Sequence, residues 1–218
     1  MTTDMQRRGP RGGKDRQART RLARAAVVAA ARTLFLERGY AGTTVEAISE
    51  LSDVPPATVY RLFTSKLGIL KALLEVSVAG DDEATPLEER PHIRAILADR
   101  DPRNQLSGFA GITTGIMSRT EPIHRILVSA AASDPDAAAL LAEQMQHRQR
   151  GQAQIAGALT AAGHLRPGLR ERDAADIIHA LMSPEVYRLL GERGWHAERY
   201  EQWLGGILID QLLPSPTD

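Results

Sequence analysis

The residues best equipped for chemistry in this 218-residue chain are donors rather than nucleophiles: Thr58, Tyr60 and Arg61 in close succession, with Lys66 shortly after. A guanidinium can bridge two acceptors on a base edge, a hydroxyl can meet either kind of partner, and an ammonium suits a phosphate. Pro55, Pro56 and Ala57 stand just before them. Such small residues let a helix N-terminus approach a groove closely but bring few donors, so apolar contact with thymine methyls is the natural complement to Thr58 and Arg61. That chemistry is the reading of duplex DNA, with Thr43 and Thr44 at the start of the preceding helix as further candidates.

Two short helices must position these groups. Thr43 and Glu46 stand three apart, as the N-cap and N3 residues of a capping box do, and Thr44 is the alternative cap. Val45, Ile48 and Leu51 then share one side, and Val54, preceding a proline, is pushed out of the α region, so this helix ends near Asp53. Asp tolerates the left-handed conformation such a turn needs. Pro56 suits the first turn of the next helix, where Val59, Leu62 and Phe63 form an apolar face. Two helices of about two turns, three or four residues apart, have helix-turn-helix spacing. Two short amphipathic helices are also ordinary packing units of an all-α protein, and spacing alone leaves both readings open.

Upstream lies a basic arm. Arg7, Arg8, Arg11, Lys14, Arg16, Arg19, Arg21 and Arg24 are opposed only by Asp4 and Asp15, so residues 1–24 carry +6 and, the whole chain being neutral, the remainder carries −6. Gly9, Pro10, Gly12 and Gly13 argue against helix at its start, so residues 1–14 are expected to be a disordered arm. On DNA such an arm would lie along phosphates or in a minor groove, Arg16 and Arg19 included; a solubilising tail is the competing explanation.

Residues 27 to 70 resemble the DNA-binding domain of the TetR family of transcriptional regulators. The resemblance rests on Ala30, Ala31, Leu34, Phe35, Gly39, Tyr40, Thr44, Val45, Ile48, Thr58, Tyr60, Phe63 and Lys66, in register without a gap. The chain departs from the family pattern at three places. Ser49 replaces an Ala, Asp53 a turn Gly, and Pro55 the Ser that caps the recognition helix, so that helix is expected to be weakly capped or shifted.

No segment alternates apolar and polar residues over a useful length, and the chain is expected to be all-α: a three-helix helix-turn-helix head followed by a larger helical ligand-binding and dimerisation body. The first helix is expected over roughly 15 to 38, ending at Gly39, and a connecting helix from Lys66 to about Ala79 completes a head spanning 15–79. The acidic stretch GDDEATPLEERP opens the body, 80–218. Within it, helices are expected over Ile93 to Ala98, Pro102 to Met117, Pro122 to Ala132, Asp134 to Ala162, Glu171 to Met182, Pro184 to Leu190 and about 197 to 213.

The last helices carry a broad apolar stripe, with Ile177 and Leu181 on one and Trp203, Leu204, Ile207 and Leu208 on the other. The resemblance implies that such helices pair with their two-fold copies as a four-helix bundle, giving a homodimer on palindromic DNA; the stripe read by itself is equally internal core. Gly205 and Gly206 would weaken that helix by roughly 1 kcal/mol each, which the close approach of a partner helix would justify. The resemblance also implies a repressor released by a small-molecule effector bound in the body. Phe109, Ile112, Ile116, Met117, Ile123, Leu127, Met145 and Ile178 are the candidate lining, with His124, His147 and His179 as polar anchors, although these types also make ordinary core.

Other classes find little support. The paired acids Asp81, Asp82 and Glu88, Glu89 lie in a polar connection, and no H-E-x-x-H, G-x-S-x-G or phosphate-cradling glycine loop occurs, so no enzyme and no cofactor are expected. The six histidines include no i, i+4 pair, so no metal site is expected. No apolar run approaches the ~20 residues that span a bilayer, and no cysteine is present, which suits a soluble cytoplasmic protein. Control by a partner protein in place of a small molecule is the alternative form of regulation.

Overall fold

The computed structural model describes residues 11–80 and 90–215. Among them are ten α-helices and no strand: α1 (Arg11–Arg38), α2 (Val45–Ser52), α3 (Pro56–Phe63), α4 (Lys66–Ala79), α5 (Pro91–Ala98), α6 (Pro102–Ala131), α7 (Pro135–Ala161), α8 (Glu171–Leu181), α9 (Pro184–Glu192) and α10 (Ala197–Leu212). The chain divides into two compact units, the first ending at Leu73 and the second beginning at Leu74, so the division falls inside α4 and ahead of the acidic stretch. Among the described residues no helix is long and apolar enough to cross a membrane.

The first unit packs α1, α2 and α3 against one another. Val27, Ala31, Phe35, Ile48, Val59, Ile69 and Leu70 are almost wholly excluded from water there, the positions at which the helical spacing converges. Of the expected basic arm, residues 1–10 lie outside the described residues, whereas residues 11–14 belong to α1. Once a helix is nucleated each further residue adds a hydrogen bond, so Gly12 and Gly13 at its end cost about 1 kcal/mol apiece without stopping it.

In the second unit α10 packs along α6, α7 on α8, and α6 on α7. Its core is built from Leu106, Ala110, Leu159, Ile178, Tyr200, Leu204 and Leu208. The expected break between Met117 and Pro122 is absent, and α6 runs continuously through Pro122. Proline inside a helix removes one hydrogen bond, here to the carbonyl of Ser118, at a cost of about 3 kcal/mol. Ser118 is exposed, so water can serve that carbonyl, and Met117, Ile123, Ile126 and Leu127 stay buried on either side. The segment Gly80 to Pro91 is described only at its two ends, residues 81–89 lying outside the described residues.

Candidate nucleic-acid interface and ligand cavity

The turn between α2 and α3 is assembled from residues that depart from the family pattern. Asp53 adopts φ 54°, ψ 32°, the left-handed conformation. Its N–H bonds Glu50 O at 3.3 Å, and the Val54 N–H bonds Ser49 O at 3.2 Å, the paired bonds of a Schellman cap. Ser49 does more than fit where alanine would: its buried hydroxyl donates to Val54 O at 2.6 Å, closing the turn from inside. Thr44, not Thr43, caps α2, accepting from Ala47 N at 3.1 Å. The reciprocal partnership of Thr43 with Glu46 is therefore absent.

On α3 the front edge is open to solvent: Pro55, Pro56, Ala57, Tyr60 and Arg61 are exposed and Thr58 is half-buried, while Val59 and Phe63 face inward. The helix starts at Pro56 with no side-chain cap on Pro55. Thr58 N–H already bonds Pro55 O at 2.8 Å and both prolines lack an N–H, so the first turn has little backbone donor capacity beyond Ala57. The donors this edge presents are therefore mostly on side chains, those of Thr58, Tyr60 and Arg61. Arg16 and Arg19 on α1 are exposed cations.

Two expected DNA contacts are structural instead. Thr43 is 0 % exposed, its hydroxyl within bonding distance of Leu34 O at 3.1 Å and Gly39 O at 2.8 Å. Lys66 Nζ donates to Tyr40 O at 2.8 Å and Thr43 O at 2.9 Å and lies 4.2 Å from the Tyr40 ring centroid. Its ammonium braces the corner between α1 and α2 from the start of α4. Sequence reasoning counted both as readers because hydroxyl and ammonium groups beside a helix-turn-helix suit phosphate; only packing reveals that carbonyls of the same chain take those donors.

The second unit contains a cavity of about 440 Å³, within the roughly 300–1,000 Å³ usual for ligand sites. Phe109, Ile112, Ile116, Met117, His124, Leu127 and Met145 line it, as does His147. Ile178 and Ile123, both 0 % exposed, lie in the packed interior and are not part of the lining, and His179 sits behind Gln152. The lining also includes residues the sequence did not single out: Leu74 and Val78 of α4, Ile93 and Leu97 of α5, and Gln144, Arg148 and Gln152 of α7. Gln144, Arg148 and Gln152 are polar, whereas the candidate lining consists of apolar residues and histidines.

One end of this cavity is polar and internally ordered. Gln152 donates from Nε2 to Met182 O at 3.4 Å and accepts at Oε1 from His179 Nδ1 at 2.7 Å, a contact that assigns the His179 proton to Nδ1. Arg148 Nη1 also donates to Met182 O, at 3.3 Å. His124 Nε2 stands 3.5 Å from Glu185 Oε1 but makes no hydrogen bond, a loose contact that becomes ionic only when the ring is protonated. Burial pushes the His124 imidazole below its ordinary pKa, with Glu185 opposing; burial likewise lowers Arg148, and burial followed by the Arg148 charge lowers His179.

Residues 27–73 match the family profile for bacterial regulatory proteins, tetR family. The chain carries a TetR-family helix-turn-helix domain. Over 106 residues it is 36% identical to the HTH-type transcriptional regulator TcmR of Streptomyces glaucescens, a match spanning 49% of this chain and 43% of that protein. Two solved structures share the fold at lower identity. A protein described as a TetR-family transcriptional regulator from Rhodococcus sp. superposes with a TM-score of 0.67 at 19% identity, over 88% of this chain and 99% of that one. The ketosteroid transcriptional regulator KstR2 of Mycobacterium tuberculosis gives 0.58 at 17% identity, over 88% and 95%.

Beyond the TetR-family head, the stripe expected at a dimer interface divides in two. Leu204 and Leu208 are 0 % exposed within a single chain and belong to its core, so they are unavailable to a second copy. Ile177, Leu181, Trp203 and Ile207 are half-buried at the margin of that core. Gly205 accommodates α6 of the same chain, a Cβ there lying 3.6 Å from Ser107 Cα, while Gly206 faces open space. The two helical periods overlap on one sequence stripe, and only packing separates the inner from the outer half.

Proposed function

We propose that this TetR-family protein is a transcriptional repressor that occupies a palindromic operator as a homodimer and leaves it when a small apolar molecule enters the cavity of the second unit. The observation that supports it best is the exposed front of α3, where Thr58, Tyr60 and Arg61 follow a donor-poor proline pair, with Arg16 and Arg19 of α1 also exposed. A single head of this size makes few base contacts, so two heads on related half-sites supply the affinity that one lacks. Ile177, Leu181, Trp203 and Ile207 remain as the candidate homodimer contacts. The place of action is the cytoplasm, where the DNA is.

The division of labour on α3 has a direct test. Selection of bound sequences from random duplex DNA is expected to return a palindrome whose half-sites lie about one helical turn apart or a multiple of it. Arg61→Ala is expected to relax preference at one base position in each half-site, by about 1–3 kcal/mol, while sparing the rest. A wild-type protein that enriches no palindrome would overturn the operator assignment, and an Arg61→Ala protein with an unchanged site would remove Arg61 from the readers.

A further inference from the structure

The cavity has an uneven chemistry that narrows what it can hold. Its walls are mostly aliphatic, with Phe109, and among the described residues no Asp or Glu lines it. Among the described lining residues Arg148 carries a permanent charge; it is only partly accessible to water, and one of its five N–H donors is engaged, on Met182 O. Gln152 makes one bond at each end of its amide, to Met182 O and His179 Nδ1, which fixes its orientation beside Arg148. His124 adds a buried Nε2 with no hydrogen-bond partner on the same wall.

We propose that the occupant is a mainly apolar molecule bearing one anionic oxygen group, such as a carboxylate or ionised phenol, received by the Arg148 guanidinium with His124 beside it. The assignment rests on the effector reading of the cavity. A cationic guest would place its charge against Arg148 with no carboxylate among the described lining residues to offset it. A wholly apolar guest would strip water from guanidinium donors and give nothing back. An anionic oxygen satisfies them and gains a charge-assisted hydrogen bond. Glu185 stands 3.5 Å from His124 and its charge acts on Arg148, but its side chain is 61 % exposed, so water screens much of that charge.

Two fluorescent dyes with one ring skeleton test this in the full chain: anilinonaphthalene sulfonate, which carries an anion, and N-phenylnaphthylamine, which does not. Arg148→Met is expected to weaken the sulfonate dye by about ten-fold or more while changing the neutral dye less than about three-fold, and Arg148→Lys to retain most of the sulfonate binding. Parallel losses of both dyes, or an unchanged sulfonate affinity, overturn the anion assignment. A second measurement needs no variant: in the wild-type protein a twelve-carbon carboxylate is expected to displace the neutral dye at lower concentration than the twelve-carbon ammonium, and the reverse order overturns the proposal. Ile116→Trp, which fills the cavity, should expel both dyes; dye binding that persists unchanged defeats the effector reading itself and the proposal with it.

Discussion

Lys66 shows how a residue's role depends on where its donors go. An exposed lysine beside a recognition helix neutralises a phosphate, and losing one such contact lowers the log–log salt slope of binding by about 0.9. Here the ammonium is held by Tyr40 O and Thr43 O and by the Tyr40 ring. Lys66→Met is therefore expected to lower the stability of the first unit by about 2 kcal/mol, since two part-buried carbonyls lose a charged donor, and to leave the salt slope of the folded protein unchanged. Thermal denaturation and titrations on DNA at several salt concentrations check both halves. A slope reduced by about one with no change in stability would return Lys66 to the phosphate contacts. Ser49 teaches the same lesson in reverse: read as a tolerated substitute for alanine, it is a turn-closing donor to Val54 O.

At the scale of elements, the junction of α3 and α4 is the tightest part of the head. A Cβ added to Gly68 would collide with Phe63 O, a backbone atom that cannot step aside without moving α3. Just before it, Thr64 holds φ 67°, ψ −42°, and Ser65 N–H bonds Phe63 O at 2.7 Å, the geometry of a strained γ-turn. Opposite outcomes are expected from two neighbouring substitutions. Gly68→Ala should destabilise the first unit by about 1–3 kcal/mol through this clash. Thr64→Gly should raise its melting temperature, because relief of about 1 kcal/mol or more of backbone strain exceeds the added flexibility of the unfolded chain. Paired melting curves decide it, and a stabilised Gly68→Ala protein would contradict the close approach.

For the whole molecule, two expectations follow from burial. His124 and His179 both have folded pKa values below their ordinary ones, burial being the first cause in each. The unfolded chain therefore binds more protons on acidification, so the stability tied to keeping these rings neutral is complete above about pH 6.5 and is lost as pH falls through the folded values. The charges around them are Glu185, Arg148 and Glu121 for His124, and Arg148, Glu185 and Asp176 for His179. Melting temperature is expected to fall from about pH 7.5 to about pH 5, and a His124→Gln, His179→Gln protein to show a shallower fall; identical profiles would refute the assignment. Assembly is the second expectation. Ile207, half-buried at the edge of the core, is proposed to complete its burial against another copy. Ile207→Glu should then halve the mass measured by light scattering and weaken DNA binding, and a mass equal to wild type would remove α10 from the interface.

Much of the local organisation is written in the chain: the spacing Val45, Ile48 and Val59, Phe63, the prolines that start helices, and the left-handed positions at Asp53 and Gly163 mark where helices run and stop. These signals survive because they act between residues a turn apart, where backbone sterics and capping decide the outcome. What the sequence could not decide is which donors and apolar groups remain free once the helices pack. Thr43 and Lys66 turn inward to carbonyls, Leu204 and Leu208 are taken by the core while Ile207 is not, and Arg148 and Gln152 line a cavity wall. Pro122 belongs to the same class, because burial along the length of α6 outweighs a local rule against helix. In each case the competing alternatives have the same local pattern, and the contacts that separate them come from distant parts of the chain.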